Sequence, residues 1–233
     1  MELKFASYNI HKAVGQDLRR DPDRIIAVLR EIDADVIALQ EVDRRIGQRA
    51  SVLSRAALDD THWHPVELAR RPRSLGWHGN ALLVRREFEV IAAEAIALPM
   101  LEPRGAVRAD LACHGQVVRV LGMHLDLSGL RRRDQITAIL AHVRESDGDH
   151  PTVMMGDFNQ WGRATGAMRA FGPEWETIAP GRSFPSGQPV AFLDRIVVSR
   201  AWNVIEAGVH HSGLAAEASD HLPVWARLEL TNN

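Results

Sequence analysis

Strand-length apolar runs that break off on a polar side chain recur along this chain, and they constrain its fold more than any other feature. "SYNIH" places Asn9 near the end of one run, "ALQEVD" places Glu41 at the end of another, and "GMHLD" ends a third on His124 and Asp126. "GDFN" and "SDHLP" repeat the pattern with Asp157, Asn159, Asp220 and His221. Ligand sites gather where strands give way to loops, so the recurrence says more than any single match.

The segments between these runs indicate how the strands are connected. "DPDRIIAVLREI" predicts a helix with Asp21 as N-cap, Pro22 at its first position, and Ile25, Ile26, Leu29 and Ile32 on one face. "ADVIALQEV" reads as a buried strand and "SVLSRAAL" as helical; the polar, basic loop "ARRPRSLGWHG" then delivers the strand "NALLVRR". "FEVIAAEAIAL", "GAVRADLAC" and "QVVRVLGMHL" are β-rich, and their short connections predict antiparallel neighbours. "SGLRRRDQITAILAHVRE" predicts a helix capped by Ser128, with Ile136, Leu140 and Val143 on one face. Beyond it come the strand "TVMMGDF", a helix after Trp161, and the strands "FLDRIVV", "WNVIEAGV" and "PVWARLEL". Strands that mix antiparallel and crossover connections, with helices between them, predict an α/β protein of two face-to-face sheets with helices outside. No repeat or linker divides residues 1–233, so one domain is expected.

Composition narrows the chemistry. A formal charge of -2 gives no global pull toward nucleic acid or anionic lipid, so a polyanionic substrate has to be recognised locally. The lone Cys113 excludes an internal disulfide framework and a thiolate-cluster metal site, which favours a reducing, cytoplasmic setting. No apolar stretch is long enough for a transmembrane helix.

Taken one at a time, the strand-end residues have plain structural alternatives. Glu41 could be a solvated loop acid, although a buried carboxylate there calls for a partner such as a hard divalent cation. Asn9 could satisfy a turn, "GDFN" could be an Asx-turn with Gly156 supplying a positive φ, and "SDHLP" could be a cap. Asp194 is the sharpest anomaly, an acid within the apolar run "FLDRIVV". A histidine partner accounts for it, and His221 is the best choice because an Asp can hold an imidazolium and set its tautomer.

Asn9, Glu41, "HGNALLVRR", His124, "GDFN", "LDRI" and "SDHLP" together resemble, in that order, the endonuclease/exonuclease/phosphatase superfamily that includes DNase I, abasic-site endonucleases and neutral sphingomyelinases. "NIHKAVG", "EPRGAV" and "GDFNQW" resemble a compact bacterial branch of it. The resemblance implies a four-layer α/β sandwich of the DNase I-like type, with two packed mixed β-sheets flanked by helices. It also implies metal-dependent hydrolysis of a phosphoester, with phosphodiesters or nucleic acid as the leading substrate class.

Residue by residue, the resemblance implies Glu41 as the principal Mg²⁺ or Mn²⁺ ligand, supported by Asn9 and Asp220. It implies that Asp157 orients or deprotonates water, Asn159 holds a phosphate oxygen, His221 oriented by Asp194 bonds the phosphate, and His124 serves the phosphate or the leaving oxygen. Asn80 and Arg104 are implied as substrate contacts. The chain departs from abasic-site endonucleases at His11 and Lys12, which stand near the position of a second acid; this suggests that the pair contacts substrate instead. Such roles suit the chemistry, because an anionic phosphodiester repels hydroxide and needs a cation, a carboxylate and hydrogen-bond donors around it.

Nucleic-acid binding would draw on "ARRPRSLGWHG" and "GLRRRDQ", with Trp77 to stack. A lipid phosphodiester would require an exposed apolar hairpin or amphipathic segment, and no window of the sequence presents one. A phospholipid or small-molecule phosphate hydrolase, and an inactive binding protein on the same fold, are the alternatives.

Overall fold

The computed structural model describes residues 1–44, 47–68, 71–99, 104–162 and 165–231. In chain order the first elements are β1 (Glu2–Asn9), α1 (Pro22–Ile32), β2 (Val36–Gln40), α2 (Arg55–Asp59), β3 (Trp63–Pro65) and β4 (Ala81–Arg85). Next come β5 (Glu89–Ile96), β6 (Gly105–Cys113), β7 (Gln116–His124), α3 (Gly129–Glu145) and β8 (Thr152–Asp157). The chain closes with β9 (Trp175–Ile178), β10 (Asp194–Ser199), β11 (Trp202–Val209), α4 (Gly213–Ala218) and β12 (Val224–Leu230).

The strands form two six-stranded sheets, ordered β11-β12-β1-β2-β4-β3 and β5-β6-β7-β8-β10-β9. Each sheet contains one parallel pair at its centre, β1 with β2 and β7 with β8, and each pair is joined by a helical crossover, α1 or α3. Every other strand pairing is antiparallel, so both sheets are mixed. The predicted antiparallel run β5-β6-β7 is present.

Three apolar clusters define four layers. The central one joins Phe5, Val36, Ala38 and Leu82 of one sheet to Val107, Val120, Met155 and Ile196 of the other. A second packs the outer face of the first sheet on α1, where Ile25, Val28, Leu29 and Ile32 are buried. A third packs the other sheet on α3 through Ile136, Ile139 and Leu140. The sheets approach closely at Gly122, where a Cβ would lie 3.1 Å from Leu82 and 3.2 Å from Ala38.

Most local signals act as the sequence suggested. The Asp21 carboxylate accepts from the Arg24 amide and Pro22 opens α1. Other signals act differently. Ser128 occupies the N-cap position of α3 without a side-chain bond; instead Asp126 Oδ1 accepts the Ser128 amide at 2.8 Å. After Trp161 the structure has a short 3-10 turn, Gly166–Ala170, in place of the expected helix, with residues 163 and 164 outside the described ones. Residues 69 and 70 of the basic loop, and Glu102 and Pro103 of "EPRG", also lie outside them. Asp194 is the first residue of β10 and does not interrupt that strand's interior.

Candidate active site

The topology gathers one end of each sheet at one place. β1, β2, β7 and β8 finish there, while β10 begins opposite the end of β8, with Asp194 paired to Asp157. Asn9 Nδ2 donates to Asp157 Oδ2 at 3.1 Å, so a hydrogen bond between the two sheets lies at the heart of the site.

Asp157 is its hub. It is buried, and its Oδ2 also faces His124 Nε2 at 3.2 Å and His221 Nε2 at 3.7 Å. Oδ1 accepts the Asn159 amide at 2.9 Å, an Asx-turn that sets Asn159 in the left-handed region at φ 50°. The acid and amide of "GDFN" therefore form a turn and a site together. Positive φ is needed at Asn159. Gly156 lies within β8, and glycine is required there because a Cβ would fall 1.9 Å from the Met123 carbonyl oxygen. Burial alone would push the Asp157 carboxyl up, but the neighbouring His124 and His221 outweigh it and hold the carboxyl well below the usual range.

His221 and Asp194 meet as the sequence reading anticipated. Asp194 Oδ2 lies 2.8 Å from His221 Nδ1 and accepts the Ser183 hydroxyl at 2.5 Å. Burial would lower the imidazole, yet the Asp194 and Asp157 carboxylates raise its pKa to about 10. Burial holds Asp194 above its ordinary range, against the pull of His221. At neutral pH the imidazole carries a proton on each nitrogen, one toward Asp194 and one toward Asp157. Phe184 covers the ring, with centroids 4.9 Å apart.

Two groups of residues could meet a cation. Ligand atoms of Asp157, Asp194 and His221 lie within 4.8 Å of one another, a spacing that a metal ion could span. Within this group His221 Nδ1 is already bonded to Asp194 at 2.8 Å, while its Nε2 stands 3.7 Å from Asp157 Oδ2, beyond hydrogen-bond distance. Glu41, Asn9 and Asp220 each offer an oxygen atom, the donor type that a hard divalent ion takes. Asn9 and Glu41 stand at adjacent parallel strand ends, and the Ser219 hydroxyl ties the Asp220 segment to the Asn9 carbonyl at 2.7 Å. Glu41, at φ 56°, already holds a positive group, the Lys12 ammonium.

The remaining predicted contacts divide. Lys12, Glu41, Arg104 and His124 line one cleft of about 320 Å³, together with Trp77 and Arg71. Within it Lys12 is paired with Glu41, and Arg104 Nη1 lies 2.8 Å from His124 Nδ1. His11 Nδ1 lies 3.8 Å from Asp220 Oδ1, at the half-exposed edge. Asn80 is set apart from these: fully buried, its Nδ2 donates to the Gly105 and Trp77 carbonyls at 3.1 and 3.3 Å and ties β4 to β6. Asn159 Nδ2 donates to the Leu125 carbonyl at 2.9 Å, which leaves its second N–H and its oxygen for other partners.

Sequence reasoning missed the two serines. Ser219, beside the acid of "SDHLP", donates to the Asn9 carbonyl and accepts the His221 amide at 3.3 Å. Its place in the motif was the available signal. Ser183, eleven residues before Asp194, carried none.

With this geometry, a family match becomes specific. The chain belongs to the Endonuclease/Exonuclease/phosphatase family, whose model matches residues 6–221. Phosphoester hydrolysis with a divalent metal is the general chemistry of that family. Among individual proteins, the chain is 29% identical to the uncharacterized protein YbhP of Escherichia coli (strain K12), over 98% of this chain and 96% of that one. It shares its fold with an endonuclease/exonuclease/phosphatase from Bacteroides vulgatus, at a TM-score of 0.80 and 20% identity over 99% and 100% of the two chains. The mannosyl-6-phosphatase of Bacteroides thetaiotaomicron VPI-5482 shares it too, at 0.76 and 19% over 98% and 100%. No helix among the described residues is long and apolar enough to cross a membrane.

Proposed function

We propose that this protein is a metal-dependent phosphoester hydrolase that cleaves a phosphodiester at the Asp157-centred site. The observation that carries the reading is the convergence of Asn9, His124 and His221 on one buried carboxylate oxygen, with Asp194 behind His221.

Glu41, with Asn9 and Asp220, would hold Mg²⁺ or Mn²⁺, which when bound neutralises charge on the phosphate. Asp157, kept ionised, accepts a proton from the attacking water and aims its lone pair at phosphorus. Protonated His221 donates from Nε2 to a non-bridging oxygen, where negative charge grows in the transition state, and Asp194 keeps that proton in place. The second N–H of Asn159 serves the same oxygens. His124, whose Nε2 faces the same Asp157 oxygen, would donate to the leaving oxygen, with Arg104 against its ring. Lys12 balances Glu41 and lies within reach of substrate in the same cleft.

Turnover of single- and double-stranded DNA, RNA, phospholipids, sugar phosphates, nucleotides and a nitrophenyl phosphodiester, each with Mg²⁺, Mn²⁺ or chelator, tests the proposal. Metal-dependent cleavage of a diester that Glu41→Ala and His221→Ala abolish is the expected result. Wild-type rates equal to those of both variants on every substrate would end the enzyme reading.

A further inference from the structure

Seven large apolar side chains stand exposed among the described residues. Ile91 and Ile205 have a local cause, since each falls at a register shift on an edge strand, β5 or β11. The other five are Leu18, Leu127, Leu130, Trp161 and Val190, and all lie in segments at the active-site end. Leu18 follows β1, Leu127 and Leu130 follow β7, Trp161 follows β8, and Val190 precedes β10. Leu18 is 86% exposed, Leu130 80% and Trp161 63%.

The backbone that presents them is clamped. Buried Arg132 donates to the carbonyls of Asp126 and Leu127 at 3.0 and 2.6 Å and to Gln160 Oε1 at 3.1 Å, joining the β7 and β8 loops. Buried Arg195 donates to the carbonyls of Gln160 and Gly162, on either side of Trp161, at 2.9 and 2.6 Å. Trp161 is thus held outward by its neighbours. Cations accompany the apolar groups: Arg19 and Arg20 follow Leu18, and Arg131 and Arg133 follow Leu130. The acids on these two segments are Asp17 and Asp21, which Arg24 engages at 3.0 and 3.5 Å, Asp23, buried Asp126 and Asp134, so the arginines are partly offset by acids of their own segments.

An apolar rim interleaved with arginines matches the boundary of an anionic membrane, where acyl chains lie beneath charged headgroups. Nucleic acid would stack on Trp161 and pair with the arginines, but it has no use for four exposed aliphatic side chains. We propose that the active-site rim docks this protein on an anionic lipid surface, with Trp161 and the leucines entering the headgroup boundary and the arginines meeting lipid phosphates. The site then opens onto the headgroup layer. Docking relies on the hydrolase reading only for what lies behind the rim, and it is measured without turnover, so either can fail alone. It also explains why the sequence showed no lipid-binding segment: the apolar groups come one or two to a loop, and the fold assembles them.

The test is co-sedimentation of the full chain, in chelator, with vesicles of phosphatidylglycerol and phosphatidylcholine and with vesicles of phosphatidylcholine alone. The expected result is binding to the anionic vesicles that salt weakens and that Trp161→Ser with Leu130→Ser reduces at least about tenfold, while Arg131→Ala and Arg133→Ala each reduce it roughly fivefold. Unchanged thermal midpoints establish that the surface variants are folded. Equal partitioning of wild type and the double variant would overturn the proposal. So would absence of vesicle binding with Trp161-dependent binding of single-stranded DNA, or with self-association that Leu130→Ser abolishes.

Discussion

Replacing Asp194 by asparagine isolates what the His221–Asp194 pair contributes. The amide keeps the volume of the side chain and can still accept one hydrogen bond, but it removes the charge 2.8 Å from His221 Nδ1. Of the influences that raise the imidazole pKa to about 10, the Asp194 charge is the largest. Its loss lowers that pKa toward the ordinary histidine value, so at pH 8 the ring ceases to be a full-time donor. A charge-assisted hydrogen bond lost from a buried site costs about 1.5–3 kcal/mol. Taken out of the transition state, that is a fall of roughly 10- to 150-fold in kcat, because each ~1.4 kcal/mol is tenfold. KM on a nitrophenyl phosphodiester should change by less than about threefold, since the lost interaction strengthens as charge develops on the phosphate. The more specific sign is the pH profile: the basic limb of kcat moves downward in Asp194→Asn. A variant with wild-type kcat and an unmoved basic limb would refute the role given to the pair.

Gly156→Ala places a Cβ 1.9 Å from the Met123 carbonyl oxygen, so β7 and β8 must part; urea unfolding should show a loss of about 2–3 kcal/mol. In metal-free protein the raised pKa of His221 contributes stability that is fully present below about pH 6.5 and is lost as pH rises through about 10, so the melting temperature should fall across that window. Asp157 acts in the opposite direction: its depressed pKa contributes stability above its unfolded value near 3.8 that is lost as the solution is acidified below it. Burial pushes the Cys113 thiol up to about 11, so at pH 8 a thiol reagent should label native protein on the order of a hundredfold more slowly than unfolded protein.

The fold was legible where local and long-range demands agreed. The α1 signals, an Asp cap followed by Pro and an apolar stripe, act as read, because capping needs only the neighbouring residues. β3 and β9 escaped because Trp63–Pro65 and Trp175–Ile178 are short edge strands, ordered by the strand beside them more than by a pattern of their own. At the site, Asp194 stood out because a buried acid needs a partner, and the partner is His221. The motif implies Asn80 as a substrate contact; its Nδ2 donates to the nearby Trp77 carbonyl and to the Gly105 carbonyl of β6, the second a tie between segments that no spacing along the chain reveals. In "GDFN" the Asx-turn runs between Asp157 and Asn159, while Gly156 serves the close approach of β7, a contact across the sheet that the local sequence does not encode.

The central claim is that Asp157 prepares the water in a metal-dependent hydrolysis, and Asp157→Asn tests it most directly. The substitution keeps the size of the side chain at the point where Asn9, His124 and His221 converge. Wild-type and variant protein, purified side by side, would be assayed for initial rate on a nitrophenyl phosphodiester with saturating Mn²⁺. The account predicts a fall of about 10²–10⁴ in kcat with the fold intact by circular dichroism. A folded variant that retains a rate within a few-fold of wild type would contradict it.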